Sequence, residues 1–372
     1  MTHAENLSIS CLQTADAFDQ LKDVWETLER KDPFCMPVNT WQWSQLWWQH
    51  YATEQDSLVL LIARSASRVV AIAPLYITSG RMCRVVPVRV IRFLCTGCDT
   101  TMDYINIVAL PDAREAAETA FLAYLNQLKG WQKLYFCNMR EDSSLVRTVR
   151  KSVRQQRGAL VPEIQNTLMR AKLPASWDDY RASLSRKRRK QINHRQNRLD
   201  AAGVSELSIC ASREELEEAT NALADLHRLR WQSKGELGAF RTECYEQFHR
   251  AIIKEFFARD ALWLTTLKLD GQIIGVQYIL VWRGELQFVQ SGYSPDHESL
   301  SPGHVLFTYA IRRGIEQGLT ELDMLKGSYH YKTAYAKDYV TTCDVGIIRP
   351  GFRSMLGHML GVATKTRQTF VH

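Results

Sequence analysis

Two stretches of the chain concentrate groups able to hold an anion and to move a proton. The first is SGYSPDHESLSPGHVLFTYAI, where a strand runs through a loop into a helix that opens with Ser301, Pro302, Gly303, His304 and Val305. A helix start offers unpaired N–H groups and the positive end of the helix dipole; Gly303 lets backbone come close, and Pro302 presets an early helical φ. A diphosphate fits such a position, although many ordinary helices also open with Ser-Pro-Gly. The second stretch is DMLKGSYHYKTAY, in which Asp323 ends a strand, Gly327 permits a sharp departure, and Tyr331 and Lys332 follow. Open α/β layers put ligands at strand ends beside helix N-termini, so the two stretches are expected to line one cleft. On spacing alone Asp323 serves equally well to cap a turn, Tyr331 as a core aromatic and Lys332 as a solvated cation.

A third feature is a run of cations. SRKRRKQINHRQNRLDAAG carries Arg186, Lys187, Arg188, Arg189, Lys190, Arg195 and Arg198, while Leu184, Ile192 and Leu199 recur about every two turns. A helix of this pattern docks through a narrow seam and shows charge around the rest, at a cost in self-repulsion. Its expected partner is an anion: a polyanionic acceptor, an anionic membrane surface, or RNA. The plain alternative is a solvated face. The net charge of +7 is moderate and much of it sits in this run, so its distribution says more than its sum.

The elements that must position these groups are mixed. Ala15 to Tyr51 has helical periodicity, with Trp25, Trp41, Trp43, Trp47 and Trp48 as core anchors. SLVLLIA and VVAIAPLYI read as paired strands, VVPVRVIRFLC and YINIVAL as two more, Ala113 to Leu128 as an amphipathic helix, and KLYFCNM as a strand. A second cycle follows Pro174: a helix from Trp177 to Ala202 closed by Gly203, and helices over Arg213 to Lys234 and Arg241 to Arg259. Then comes an antiparallel meander of ALWLTTLKL, QIIGVQYILVW and ELQFVQSGY, turned by Asp270-Gly271 and Arg283-Gly284. A helix from His304 to Gln317 and the strand LTELDML complete it. The two cycles share an order, which suggests duplicated folds with a boundary near Pro162 to Ser176.

At 372 residues two domains are expected: 1–170, 171–350, and a basic, apolar tail at 351–372 with Arg353, His358, Lys365 and Arg367. The longest apolar stretch, Leu58 to Ile77, is interrupted by Arg64 and Arg68, so a membrane span is not expected there. Nine cysteines without a secreted-type framework, and a start that lacks a basic and apolar leader, point to free thiols and a cytoplasmic address. Cys95 and Cys98 form one CxxC without a second pair at zinc spacing, so no metal is expected.

In this order, Gly292-Tyr293, Ser301-Pro302-Gly303 with Leu306, Gly314 to Gly318, Asp323, Gly327 and Tyr331-Lys332 resemble the GNAT-like acetyltransferase domain of bacterial cellulose and exopolysaccharide biosynthesis proteins. The basic helix before Gly203, and Trp231 ahead of Phe240, fit it too. Phe34, Trp41, Trp47, Ala73-Pro74-Leu75 and Asp103-Tyr104 look like its first half. The resemblance implies an α/β (α+β) fold of two tandem GNAT-like domains, each a mixed, mostly antiparallel sheet flanked by helices, the first non-catalytic. It implies an acyltransferase that uses acetyl-CoA or another acyl-CoA and no metal, with an amino group of a sugar or lipid-linked saccharide as acceptor. Gly292 and Ser301 to Val305 would then hold the donor, its pantetheine arm lying between the strands at Leu286 to Gly292 and Leu319 to Leu325. Asp323 would orient or deprotonate the nucleophile, Tyr331 would act as acid, and Lys332 would meet an anionic group. Tyr329 and Tyr335 compete with Tyr331, and His304 is a further base. Arg186 to Lys190 would face an anionic partner, with peripheral contact to the inner face of the membrane in view. The glycine-rich loop of ordinary GNAT enzymes is absent. The related Fem-type enzymes pair two such domains and take aminoacyl-tRNA, which makes tRNA the alternative donor. A non-catalytic module of a polysaccharide-synthesis complex is the third reading.

Overall fold

The computed structural model describes residues 7–82, 86–100, 102–155, 159–160, 164–326, 332–336 and 338–349. The chain divides into two compact units, Met1–Asn166 with Thr341–His372, and Thr167–Val340.

The first unit runs β1 (Ser8–Leu12), α1 (Ala17–Lys31), α2 (Trp41–Tyr51), β2 (Ser57–Ser65), β3 (Arg68–Met82), β4 (Val86–Phe93), β5 (Val108–Ala109), α3 (Arg114–Gln127), β6 (Lys133–Arg140), α4 (Ser144–Gln155) and β7 (Ala159–Leu160). The helical stretch expected over Ala15 to Tyr51 is thus two helices. Asp32 ends the first with extended backbone, Pro37 opens a short 3-10 turn, and the Thr40 side chain accepts from Trp43 N to start the second. Trp25, Trp41, Trp43 and Trp47 are buried. The strand order is β1-β2-β3-β4-β6, antiparallel except for β4 with β6, and β5 adds to β3.

The second unit holds β8 (Gln165–Lys172, from Thr167 on), α5 (Trp177–Ser183), α6 (Arg186–Ala202), β9 (Ser205–Ile209), α7 (Arg213–Gln232), α8 (Glu243–Phe257), β10 (Leu262–Leu269), β11 (Gln272–Trp282), β12 (Glu285–Tyr293), α9 (Pro302–Glu316) and β13 (Glu321–Lys326). Its order is β8-β13-β12-β11-β10-β9, and only β12 with β13 is parallel. The meander turns at Asp270-Gly271 and Arg283-Gly284 have positive φ at both residues, the geometry that matches strand twist. The single helix expected over Trp177 to Ala202 is broken. Leu184 is extended and buried, and the Ser185 side chain accepts from Arg188 N to begin α6 afresh.

Each unit therefore follows one order: an edge strand, two helices, a three-strand meander, a helix, and a strand parallel to the meander's last. An antiparallel strand then covers that parallel one, β8 in the second unit. In the first unit the cover is β14 (Asp338–Ile348), which pairs with β6. The domain expected over 171–350 takes in these residues with no strand named among them, yet from Thr341 onward the strand belongs with the first unit, where it satisfies the edge of β6 that would otherwise lie open. The tail at 351–372 lies outside the described residues. Among the described residues no helix is long and apolar enough to cross a membrane.

Helices α7 and α9 cover opposite faces of the second sheet. A Cβ on Gly292 would meet His227 N at 2.6 Å and Leu223 O at 2.8 Å, both backbone of α7. A Cβ on Gly275 would meet Leu306 Cδ1 at 2.9 Å and Pro302 Cβ at 3.3 Å, on α9. Val276 is the partner of Gly292, and Gly275 precedes it, so alternation puts the two contacts on different faces. Leu199, Leu267, Ile274, Val305 and Leu306 form one apolar cluster, which docks α6 on the α9 face through the expected seam.

Candidate functional site

The parallel contact between β12 and β13 is short. Glu285, Leu286 and Gln287 pair with Glu321, Leu322 and Asp323, and the pairing stops there. Both strands are bulged just beyond. On β12 the register jumps from Phe288 to Gln290 opposite Ile279 and Tyr278, which leaves Val289 as an extra residue. On β13 the register with β8 shifts between Asp323 and Lys326, and Leu325 has φ +51°. Bulges bend a strand and end its pairing, so the two strands part where a ligand arm can enter.

Three expected site residues lie around this fork. Asp323 is fully buried and its Oδ1 accepts from Leu325 N at 2.7 Å, which supports the bulge at the positive φ. Its Oδ2 lies 3.8 Å from Arg170 Nη1. The same guanidinium bonds Glu285 Oε1 at 2.6 Å and Glu321 Oε2, two carboxylates that face each other across the register. Asp323 therefore clasps the fork and lines neither of the cavities described below. Lys332 is 4% exposed, and its ammonium donates to Met324 O, Leu325 O and Lys326 O at 2.6, 2.9 and 3.0 Å. An ammonium has three protons, and these bonds use them, so Lys332 caps the end of β13. Tyr331, with Gly327 and Tyr329, lies outside the described residues.

The start of α9 is open to a cavity of about 290 Å³ lined by Arg230, Lys234, Gln277, Ser291, Tyr293, Glu298, Ser301, Pro302, Gly303, His304 and Phe307. Ser301 sits at φ +58°, a conformation uncommon outside glycine, and its side chain makes no cap bond. Its carbonyl receives His304 N at 3.0 Å and Val305 N at 3.2 Å. Arg230 donates to Ser291 Oγ at 3.2 Å and lies 4.5 Å from the centre of the Tyr293 ring. Two cations and a helix N-terminus thus converge on one wall. Ser301, Pro302, Gly303 and His304 line this cavity, and Val305 lines the adjoining one on the other side of His304. Gly292 stands apart, since its missing Cβ serves the contact with α7. Arg230 and Lys234 were missed; they lie some seventy residues upstream on the end of α7, and no local motif links them to Ser301.

His304 supplies the titratable group. Its Nδ1 is 2.8 Å from the Tyr335 hydroxyl, and its pKa is lowered to about 4, first by burial and then by Arg195 and Arg188. Burial raises the Tyr335 pKa. At neutral pH the pair is a neutral imidazole against a protonated phenol.

The basic run also divides. Arg186, Lys187 and Lys190 are exposed. Arg189 donates to Arg181 O, Ala182 O and Leu184 O at 3.2, 3.2 and 2.7 Å, which caps the end of α5, and Arg188 lies 5.4 Å from the Tyr335 ring centre. Those two face the protein, because a helix that docks through a seam turns part of its circumference inward. Cys95 is buried and Cys98 accepts from Trp47 Nε1 at 3.2 Å; among the described residues no cluster of three or more His, Cys, Asp or Glu is placed to hold a metal ion.

Residues 186–333 match the family model of the acetyltransferase (GNAT) domain. That span contains the fork, the start of α9 and the exposed cations. Among solved structures the chain resembles FemX at 10% identity and a TM-score of 0.62, over 90% of this chain and 98% of that one. It also resembles a conserved protein of unknown function from Bacteroides thetaiotaomicron VPI-5482 (8%, TM-score 0.57, 91% and 100%). A third similar structure is the C-terminal domain of a putative lysylphosphatidylglycerol synthetase from Agrobacterium fabrum (12%, TM-score 0.53, 93% and 95%). At these identities the likeness is one of fold. No curated protein matches the sequence.

Proposed function

We propose that the second unit is an acyl-CoA-dependent N-acyltransferase. The observation that carries this reading is the fork of β12 and β13 beside an α9 start flanked by Arg230 and Lys234, inside the span that matches the GNAT family model. The donor's diphosphate lies against Ser301 to Val305, where the Gly303 amide, the helix dipole and two cations favour it. Its pantetheine arm enters the fork, and acetyl-CoA is the simplest donor. The acceptor nitrogen attacks the thioester carbonyl; the N–C bond forms, the C–S bond breaks, and the thiolate leaves as the free thiol. His304 is the base that receives the nucleophile's proton, and Tyr335 holds the imidazole in place and remains protonated to donate toward the leaving sulfur. The acceptor class is an amine of a sugar or lipid-linked saccharide of envelope or exopolysaccharide synthesis. The first unit has no part in the chemistry.

Thiol release from acetyl-CoA and longer acyl-CoAs across amine acceptors tests this reading. His304→Gln is expected to lower kcat/KM by 10²-fold or more while CoA still binds; unchanged turnover removes His304 from the mechanism, and no binding of any acyl-CoA removes the donor class. The exposed cations Arg186, Lys187 and Lys190 favour a second reading in which aminoacyl-tRNA is the donor. Salt-sensitive retardation of charged tRNA, lost on reversal of those three charges, would select it.

A further inference from the structure

A second cavity of about 230 Å³ opens between α5, α6 and α9, and among the described residues His304 alone lines both it and the cavity at the α9 start. Three arginines line it, Arg181 from α5, Arg195 from α6 and Arg312 from α9, and among the described residues no carboxylate lines it. Cations that converge from three helices repel one another, and an anion held between them would offset that cost. Among the described residues Arg181 donates to the Asn193 amide oxygen at 3.3 Å, and Arg312 is held by Glu316 one turn along its own helix. Arg195 is the informative one. The Tyr335 hydroxyl accepts from its guanidinium, while its Nη1 is buried and has no hydrogen-bond partner among the described residues, a donor left over on the cavity wall. Burial lowers the Arg195 pKa and the neighbouring Arg188 adds to that, while Tyr335 opposes it. The Trp177 indole supplies an apolar wall beside these donors.

We propose that this cavity is a second anion site, which takes the phosphate group of a sugar-sized acceptor on Arg181, Arg195 and Arg312 and sets its ring against Trp177. Guanidinium forks match phosphate oxygens, and the volume admits a phosphoryl group with part of one ring but no folded macromolecule. The acceptor role rests on the acyltransferase reading above. The anion site itself does not. His304, on the wall common to both cavities, is then where donor and acceptor meet, and the acceptor is defined by charge as a phosphorylated amine rather than a neutral one.

Calorimetry on the full-length chain without donor tests the site directly, with glucose 6-phosphate and inorganic pyrophosphate as probes and CoA titrated in parallel. Arg181→Gln with Arg312→Gln is expected to weaken glucose 6-phosphate at least tenfold and to leave the CoA Kd within twofold, whereas Lys234→Gln weakens CoA and spares glucose 6-phosphate. Arg195→Met is expected to weaken it further; since that side chain is partly buried, its thermal unfolding is measured alongside, and the exposed pair of variants decides if it fails to fold. Flotation with phosphatidylglycerol vesicles separates a lipid phosphate from a soluble one: capture lost in the Arg181 and Arg312 variant assigns the same site to a headgroup. The proposal is overturned if neither probe binds and vesicles are not captured, if the arginine variants leave probe affinity unchanged, or if CoA weakens in step with the sugar phosphate, which would give this cavity to the donor. Because no step reads turnover, an inactive enzyme with an intact anion site would sink only the acyltransferase reading.

Discussion

Lys332 sits where a sequence reader places a substrate contact, next to a glycine and two tyrosines at a strand's end. Its ammonium instead closes on three successive carbonyls of β13. Those carbonyls belong to a strand end that has parted from β12, and a buried carbonyl without a donor costs about as much as a broken hydrogen bond. Lys332→Met is therefore expected to lower the free energy of unfolding by about 3 kcal/mol, read from denaturant midpoints at constant slope. A variant that keeps wild-type stability but loses CoA affinity would return Lys332 to the binding surface. His304 shows the converse. A lone histidine at a helix start carries little signal, and its significance comes from Tyr335, which is thirty-one residues away and reaches its Nδ1.

The fork of β12 and β13 is held at its closed end by one side chain. Glu285 and Glu321 face each other in register, an arrangement that repels, and Arg170 on β8 bonds both while it approaches Asp323. Removal of the guanidinium leaves three carboxylates close together, one of them fully buried. Arg170→Met is expected to cost about 3–5 kcal/mol in urea or guanidinium unfolding, whereas an exposed pair such as Arg312 with Glu316 should cost under about 1 kcal/mol. A small effect at Arg170 would mean that packing, not charge, closes the fork. Helix α6 presents a different imbalance. Its first turn is cationic and has no acid, which opposes the helix dipole. Ser185 and the contacts of Arg188 and Arg189 offset part of that cost, and the three outward charges have no such structural use.

For the molecule as a whole, stability should depend on pH through His227, which is buried between α7 and β12. Ala239 N donates to its Nε2 and its Nδ1 is 3.0 Å from Ser291 O, which fixes a neutral tautomer with the proton on Nδ1. Burial lowers its pKa to about 4 from an ordinary 6.5. The unfolded chain then takes up a proton at a pH where the folded one does not. Stability is full above pH 6.5, falls as pH drops from 6.5 toward 4, and levels off below. The loss from this residue is at most about 3 kcal/mol, and His304 adds to it in the same window. Unfolding midpoints between pH 7 and pH 4 check this. His227→Phe should be less stable at pH 7 and show a shallower decline, and an unaltered slope would rule the residue out.

Much of the second unit was legible in the sequence. The meander of β10 to β12, its two Asp-Gly and Arg-Gly turns and the helix that starts at Pro302 follow from local propensity and alternation, because adjacent strands joined by tight turns need no distant information. The repeated order of elements in the two units was visible for the same reason. What the sequence could not assign were contacts between residues far apart along it. Arg230 and Lys234 join Ser301 only because α7 ends where α9 begins, and Asp323 and Lys332 bond backbone at the bulge that parts β12 from β13. Polar residues at a strand's end look alike on paper whether they meet a ligand or satisfy bent backbone. Only the tertiary fold decides which of the two uses their donors and acceptors.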